Sequence, residues 1–335
     1  MAATGQSNTI TDIKGLLVGH YTDLKAASGV TVVICPKGAI AGVDVRGSAP
    51  GTRETDLLDP INLVEKAQAV VLSGGSVFGL AASDGAVRWL AEQGFGFPLE
   101  KGHVAPIVPS AVLYDLGRGR NFVPPINAEW GRQACQVAKN GPAMTLGCVG
   151  AGTGALSGSI KGGLGSASLT LQSGIVVAAL VAINSLGSVI NAATGRPWEI
   201  GLEVGGEFGM QGQRAVQLPG PPGAALGNHT TIGIVATDSL LSKSQAKKIA
   251  QMAHDGMARA IRPSHTLFDG DTIFSLATGE KRLPETRGFF VSPQAPAVNE
   301  LGHAAADCVS RAIIRGVLSA QSLAGMVAFQ DLEDL

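Results

Sequence analysis

The chain has 335 residues, of which 45% are hydrophobic and 15% are charged, and its mean hydropathy is +0.25. This length and composition fit a large buried core, in one domain or more. The 25 basic and 26 acidic residues leave a formal charge of −1 without a basic cluster, so neither nucleic acid nor an anionic membrane is an expected partner.

The composition also predicts the compartment and the absence of a metal site. The cysteines are scattered, without a CxxC pair or zinc spacing, and the six histidines are dispersed. MAATGQSNTITDIK lacks the pattern of a signal peptide, and the longest apolar run, 175–183, is far below the roughly 20 residues that a membrane span needs. We expect a soluble, cytoplasmic protein with free thiols, no metal ion and no other cofactor.

The first elements are predicted to follow a frayed end at residues 1–10. VTVVIC at 30–35 and IAGVDV at 40–45 both have the composition of strands. The turn-forming residues Pro36, Lys37 and Gly38 lie between them. This pattern predicts a β-hairpin.

A strand and two helices are predicted next. AVVLSGG at 69–75 is typical of a buried strand, and the apolar residues of 76–93 approximate one helical face that Gly94 ends. SAVLYDL at 110–116 predicts a short strand. NAEWGRQACQVAKNG at 127–141 predicts a helix.

The middle of the chain changes character. Residues 144–191 are rich in glycine, small and β-branched residues and predict two or three strands, with SASLTL and GIVVAALVAIN the clearest. Residues 205–229 lack any period and hold many Pro and Gly residues, so they are predicted to form a flexible linker. TIGIVATD at 231–238 is apolar on both faces, which predicts a strand in the middle of a layered fold.

The last third predicts two helices around a strand. Residues 242–261 form an amphipathic pattern with Ser242 as N-cap. DTIFSLAT at 271–278 predicts a strand, and 297–320 a closing helix. The whole pattern favours a layered α+β domain with its sheets inside.

The sequence contains no motif that supports a nucleotide-binding site or one of the common motif-defined hydrolase sites. GAGTGA at 150–155 fits the GxGxxA form of a dinucleotide fingerprint, but glycines in the following ALSGSIKGG oppose the required helix. The sequence has no Walker motif, HExxH or GxSxG elbow. A nucleotide cofactor is therefore not expected.

The pair Thr230-Thr231 in GNHTTIGIVATD follows the Pro/Gly-rich segment directly. β-Branched threonine suits the start of a strand, so a purely structural role is one interpretation. The other is catalytic: a threonine hydroxyl needs a base, and an N-terminal threonine has one in its own α-amine, with an ordinary pKa of roughly 7.7–8.0. Such an amine appears only if the bond after His229 is cut, which the same hydroxyl can do through an N→O acyl shift.

A second feature supports the catalytic interpretation. In FDGDTIF, Asp269 and Asp271 lie on either side of one glycine, just before a strand. Asp-Gly-Asp commonly forms a turn with side-chain-to-backbone hydrogen bonds. The two carboxylates could also orient and charge-stabilise an ammonium or hydroxyl group, whereas the spacing of a calcium loop is absent.

Together these segments resemble a known family. GNHTTIGIVATD, FDGDTIF and LVAINSLG, with VGHYTD, DVRGSAPGTRETDLLDP, SGGSVFGL and SAVLYDL, are similar to the L-aminopeptidase/D-amidase–D-esterases, β-peptidyl aminopeptidases and nylon-oligomer hydrolases. These enzymes use an N-terminal nucleophile. The similarity covers nearly the whole chain, and the threonine followed by DGDT is most similar to the nylon-oligomer (6-aminohexanoate oligomer) hydrolase branch.

The resemblance implies Thr230 as nucleophile, freed by cleavage after His229. It implies Asp269 and Asp271 as the acidic pair that positions Thr230. The threonine-type relatives have Asn directly before the nucleophile, whereas His229 occupies that place here. Thr231 is therefore the alternative nucleophile.

Three further residues take roles from the resemblance. Asn184 would donate its amide to the oxyanion, and Tyr114 would line the pocket near the reacting carbonyl. Lys161 would lower the pKa of the amine or hydroxyl electrostatically. The structural alternatives are that Asn184 is a turn residue that ends a strand, that Tyr114 is a half-buried packing residue, and that Lys161 is a solvated charge in a loop.

The resemblance further implies an αββα sandwich of the aminopeptidase/ornithine acetyltransferase type. Residues 1–335 would form one autoprocessed domain, with a large chain 1–229 and a small chain 230–335 that stay together and assemble as homotetramers. The expected activity is hydrolysis of short peptides, aminoacyl amides or amide oligomers through an acyl-enzyme. The alternatives are an acyltransferase of the ornithine acetyltransferase type and an uncleaved binding protein.

Overall fold

A computed structural model describes residues 3–210, 215–219, 229–287 and 292–333. The strands are β1 (Leu17–Asp23), β2 (Ser28–Val45), β3 (Gly51–Arg53), β4 (Lys66–Ser73), β5 (Phe97–Pro98), β6 (Val104–Ala105), β7 (Ser110–Val112), β8 (Leu156–Ser157), β9 (Ile160–Lys161), β10 (Gly163–Thr170), β11 (Val176–Ile183), β12 (Ile190–Asn191), β13 (Arg196–Pro197), β14 (Ile232–Ser239) and β15 (Thr272–Lys281). The α-helices are α1 (Ala82–Glu92), α2 (Ala128–Lys139), α3 (Lys243–Ala260) and α4 (Ala295–Leu318).

Most of the long strands form one hydrogen-bonded system. Its order is β10-β11-β14-β15-β2-β4-β7-β3, and β1 pairs with β2. β14 pairs antiparallel with β11 and parallel with β15. Two strands from the last third of the chain therefore lie between strands from the first two thirds.

Three hydrophobic cores divide this system into layers. One core packs β10 and β11 against α3 and α4, and another packs β1, β2 and β4 against α1 and α2. The third core lies between the strands that pack on α3 and α4 and those that pack on α1 and α2. A strand can contribute to two cores, because its alternate residues point to opposite faces. In β11, for example, Val181 belongs to the core with the helices and Leu180 to the core between the strands. The predicted αββα arrangement is confirmed.

The predicted central strand and the helix after it are confirmed. Every residue of β14 is buried, as a strand covered on both faces requires. α3 begins after Ser242, whose hydroxyl accepts from the Gln245 N–H while the Gln245 side chain returns to the Ser242 N–H, which is a capping box. None of the helices in the described residues is long and apolar enough to cross a membrane.

The predicted hairpin over 30–45 is wrong. β2 runs unbroken from Ser28 to Val45, and its pairing with β4 shifts register between Ile34 and Ala39. The Pro-Lys-Gly segment therefore forms an irregularity in one strand instead of a turn, with Gly38 at φ 70°. The two halves of β2 pair with β1 and β15 respectively, so this strand connects the two strand layers.

The prediction of a frayed end is also wrong for the described residues from Ala3 onward. Asn8 accepts a hydrogen bond from the Arg311 guanidinium at 3.0 Å and donates to Glu207 at 2.5 Å. Arg311 is 1% exposed and donates to Glu207 at 2.6 and 2.9 Å. A buried guanidinium needs such partners, and they fix this end of the chain.

Other predicted elements differ in extent or lie partly outside the described residues. The helix predicted at 76–93 begins with a 3₁₀ turn, Ser76–Ala81, before α1. The strand predicted at 110–116 is limited to Ser110–Val112. Of the predicted linker, 211–214 and 220–228 lie outside the described residues.

The crossing of α1 and α2 gives a testable stability prediction. A Cβ added at Gly131 would lie 1.9 Å from the Ala82 carbonyl oxygen, which the backbone cannot accommodate without moving. We expect Gly131→Ala to lower the free energy of unfolding by about 1–3 kcal/mol through overpacking. Thermal unfolding followed by circular dichroism measures this.

The matched control is Gly201→Ala, because an added Cβ at Gly201 meets nothing within 4 Å. Equal melting temperatures for the two variants would contradict the close packing of these helices.

Candidate active site

Three chain segments meet at the start of β14. Since β14 and β15 are parallel, their first residues lie at the same edge of the sheet, with Ile232 opposite Thr272. β11 runs antiparallel to β14, so its last residue lies at that edge as well. Thr230, the acidic turn 269–271 and Asn184 are thereby brought together, although up to 87 residues separate them along the chain.

Thr230 lies 5% exposed at this edge. Its main-chain N–H donates to the Asn184 carbonyl oxygen at 2.5 Å, and its Oγ1 donates to the carbonyl oxygen of His229. An added Cβ at Gly270 would lie only 2.9 Å from Oγ1, so the turn packs directly against the hydroxyl. The hydroxyl is therefore confined beside the peptide bond that precedes it.

The two acidic residues have different partners. Asp271 Oδ1 accepts from the Thr231 main-chain N–H at 2.8 Å. Asp269 pairs through its main chain with His229, and its carboxylate accepts from the Thr266 N–H and hydroxyl at 2.9 and 2.6 Å. Both carboxylates are buried. Asp271 thus contacts the segment that leads into β14 directly, while Asp269 orders the turn at 269–271.

Asn184 is fully buried, and its neighbours fix the orientation of its amide. Oδ1 accepts from Arg118 Nη1 at 2.5 Å and from the Leu156 N–H at 3.0 Å, while Nδ2 donates to the Tyr114 carbonyl at 3.1 Å. Two N–H donors on one atom identify that atom as the oxygen. Asn184 therefore connects Thr230, through its main-chain carbonyl, to a buried polar network.

Tyr114 and Lys161 lie farther out in this network. Tyr114 is half-buried and contributes its main-chain carbonyl. Lys161 is fully buried, unlike a solvated loop charge, and its ammonium donates to the carbonyls of Gly152, Ala155 and Gly162 at 3.1, 2.9 and 2.8 Å. Burial lowers the pKa of Lys161 to about 8. Its contacts order the turn that presents the Leu156 N–H to Asn184.

Arg118 is a site residue that the sequence reasoning missed. Its Nη1 bridges the Gly154 carbonyl at 2.6 Å and Asn184 Oδ1. Burial lowers the pKa of Arg118 to about 10, against the opposing effect of Asp115 and Tyr114. Burial, followed by the Arg118 charge, lowers the pKa of His229. Only the acid–arginine composition of YDLGRGR marks this position in the sequence.

The sequence also did not predict that His265 contacts Asp271 or that His254 packs against His265. His265 Nδ1 lies 2.8 Å from Asp271 Oδ2, and the His265 ring meets the His254 ring edge-on at 5.0 Å between centroids. In the sequence their separation of 11 residues, across the end of a helix, carries no pattern. Only the fold brings them to the acidic turn.

This arrangement places the buried Thr230 hydroxyl on the carbonyl of His229 and the Asp271 carboxylate on the next main-chain N–H. The Asn184 carbonyl accepts from the Thr230 N–H, and the Asn184 side chain accepts from the Arg118 guanidinium.

Comparison with known proteins identifies the family of the chain. The family model of peptidase family S58 matches residues 8–329. A Mycobacterium tuberculosis protein named as an uncharacterized aminopeptidase is 46% identical over 342 residues, covering 97% of this chain and 98% of that protein. A 6-aminohexanoate-oligomer endohydrolase of a Kocuria strain is 32% identical over 300 residues, covering 85% and 79%.

Solved structures match the fold over almost the whole length. The L-aminopeptidase D-Ala-esterase/amidase of Ochrobactrum anthropi, described as a variant of the Ntn hydrolase fold, superposes with a TM-score of 0.72 at 22% identity, covering 96% of this chain and 89% of that one. A β-aminopeptidase of a Burkholderia species gives 0.71 at 24% identity, covering 98% and 92%. The chain therefore belongs to peptidase family S58 and is a hydrolase of amide or peptide bonds with an N-terminal-nucleophile-hydrolase fold.

Proposed function

We propose that this amide hydrolase activates itself by cutting its own chain between His229 and Thr230, and that Thr230 then acts as its N-terminal nucleophile. The observation that carries the proposal is the contact of Thr230 Oγ1 with the carbonyl of His229. No other residue type at this position would combine a hydroxyl on that carbonyl with a latent α-amine, apart from serine.

The proposed self-cleavage starts from this contact. Oγ1 attacks the carbonyl carbon of His229, the C–N bond breaks as the nitrogen takes a proton, and an ester replaces the amide. Water then hydrolyses the ester, which leaves a carboxylate on His229 and a free α-amine on Thr230. The Asn184 carbonyl and the Asp271 carboxylate hold the N–H groups on either side of the Thr230 side chain, so the hydroxyl keeps its orientation during the attack.

Turnover of an external amide would use the same atoms. The neutral α-amine accepts the proton of Oγ1 as that oxygen attacks the substrate carbonyl, and the amine product leaves with a proton. Water hydrolyses the resulting acyl-enzyme. Asn184, whose amide orientation Arg118 and Leu156 determine, is the proposed donor to the oxyanion.

The fold supports a cleaved enzyme that stays in one piece. β14 and β15 of the small chain lie between β11 and β2 of the large chain, so separating the fragments would break two strand ladders. The Arg311–Glu207 pair adds a buried ionic contact across the two chains. We propose that fragments 1–229 and 230–335 form one domain, which assembles as a homotetramer in the cytoplasm.

The relatives define the substrate class to test. We propose short peptides, aminoacyl amides and 6-aminohexanoate oligomers as substrates, by analogy with the names of the aminopeptidase and oligomer hydrolase relatives. An assay with aminoacyl anilides measures hydrolysis directly. Acetyl transfer to glutamate, measured in parallel, would instead indicate the acyltransferase alternative.

The first prediction of this proposal concerns cleavage. Purified protein should run as two fragments, and Edman sequencing of the smaller one should begin TTIGIVATD. Thr230→Ala should remain one intact chain, since no hydroxyl is left to attack. Thr231→Val is the matched control: it removes a buried hydroxyl with no hydrogen-bond partner among the described residues, and it should still cleave. A fragment that begins at Ile232 would refute the assignment.

The second prediction concerns the acidic pair. Asp271→Asn should slow both self-cleavage and turnover at least ~10-fold, because a neutral amide is a weaker acceptor for the Thr231 N–H. Asp269→Asn should slow both by a smaller factor, since its carboxylate contacts Thr266 instead.

Time courses of precursor conversion and steady-state anilide hydrolysis measure these rates. Asp255→Asn, at a side chain 60% exposed, is the control. Unchanged rates in both variants of the pair would make these carboxylates purely structural.

The third prediction concerns pH. Turnover needs a neutral α-amine, so its rate should rise as the pH increases through roughly 7–8, and fall when the amine is protonated below that range. Self-cleavage should lack this limb, because the precursor has no amine at Thr230. Stopped-time assays of the two rates across pH 5–9 compare them. The same acid limb in both rates would show that another base is used.

A further inference from the structure

We propose that His265 is a positioning residue that holds Asp271 in the orientation required for both self-cleavage and turnover. This inference rests on the proposed function of Thr230. Asp271 connects the two: Oδ1 accepts from the Thr231 N–H at 2.8 Å, and Oδ2 accepts from His265 Nδ1 at 2.8 Å and from the His265 main-chain N–H at 3.1 Å. Among the described residues, two of the three N–H donors to this carboxylate therefore belong to His265.

The backbone of His265 is arranged for this double contact. His265 has φ 55°, in the left-handed region that residues with a Cβ rarely adopt. This conformation directs its N–H and its ring nitrogen toward the same carboxylate oxygen. Local strain of this kind persists where neighbouring contacts hold it, and here those contacts lead to the nucleophile strand.

The hydrogen bonds also assign the ring tautomer. A carboxylate only accepts, so Nδ1 of His265 carries the hydrogen. Nε2 of His265 is buried and has no hydrogen-bond partner among the described residues. Within this part of the chain, the ring therefore makes its hydrogen bond through Nδ1, to Asp271. The imidazole therefore has a specific donor role that its packing does not explain.

Packing and charge fix the other side of the ring. His254 of α3 is fully buried, meets the His265 ring at an interplanar angle of 70°, and lies with Nε2 3.0 Å from the Asp44 carbonyl. Burial lowers the pKa of His254 to about 4, so it is neutral at neutral pH. The nearby charges on β2 and the segment after it are the Asp44 carboxylate, 3.6 Å from His254 Nε2, and Arg46, which pairs with Asp44 at 2.9 Å. His265 is thus held between a neutral ring and the Asp271 carboxylate.

The position of Asp271 affects the Thr230 hydroxyl through the peptide between Thr230 and Thr231. Rotation of Asp271 would release the Thr231 N–H, and this N–H belongs to the peptide that begins at Thr230. The Thr230 side chain would then lose its fixed position on the His229 carbonyl. Loss of the His265 donor should therefore lower the rates of chemistry and leave substrate affinity nearly unchanged.

Two variants of the full-length chain separate the donor from the packing. His265→Asn keeps an N–H donor but removes the ring, and His265→Phe keeps a ring against His254 but removes the donor. We expect self-cleavage and kcat to fall at least ~10-fold in His265→Phe and to stay within about threefold of wild type in His265→Asn, with KM similar in all. His303→Ala, on a side chain 69% exposed, is the control and should match wild type.

Cell-free synthesis followed by timed gel electrophoresis measures self-cleavage without any assumption about the substrate. Anilide hydrolysis by the cleaved proteins gives kcat and KM, and thermal melting of each variant monitors folding. The inference would be overturned if His265→Phe were active and His265→Asn slow, or if the two variants were equally slow or equally fast. Any of these results, with wild type still cleaving before Thr230, would leave the proposed function of Thr230 standing. A wild-type chain that stays intact would contradict both the proposed function and the role of His265.

Discussion

The parallel pairing of β14 with β15 is the constraint on which the site depends. Parallel neighbours start at the same edge of a sheet, so the threonine before one strand necessarily faces the acidic turn before the other. The antiparallel approach of β11 then supplies Asn184 at the same edge. Three segments that are far apart in the chain become neighbours through the backbone hydrogen bonds of the sheet, and side-chain hydrogen bonds such as that of Asp271 to the Thr231 N–H then join them.

Buried polar groups give this edge its rigidity. A charge inside a protein is costly unless it has hydrogen-bond partners. Lys161 donates to three carbonyls, and Arg118 donates to a carbonyl and to the Asn184 amide oxygen. Asp271 accepts from three N–H groups. The groups nearest the hydroxyl thus hold fixed positions before any reaction. In the proposed mechanism this order replaces the reorganisation that water would need around a developing oxyanion.

The sequence alone predicts much of this arrangement, and its failures have physical causes. The strand β14, which is apolar on both faces along most of its length, the capped α3 and the turn 269–271 are local patterns, so they could be predicted. The unbroken β2 could not, because a Pro-Lys-Gly segment suits a bulge as well as a turn. The ordered Asn8 depends on Arg311, 303 residues away, and the contacts of Arg118 and His265 depend equally on the fold. Long-range partners of single polar residues leave no period in a sequence.

The central claim is that nucleophile and base belong to one N-terminal threonine. Periodate oxidises such a residue by breaking the bond between Cα, which carries the amine, and Cβ, which carries the hydroxyl. This leaves an aldehyde on the chain and releases acetaldehyde and ammonia, whereas an internal threonine has no free amine and does not react. Stoichiometric periodate treatment of the mature enzyme, followed by mass spectrometry of the small fragment and an anilide assay, tests the claim directly. The account predicts that activity disappears in proportion to the converted fraction of Thr230. Full activity in a sample whose small fragment is completely converted, or hydrolysis by a chain of uncut mass, would contradict it.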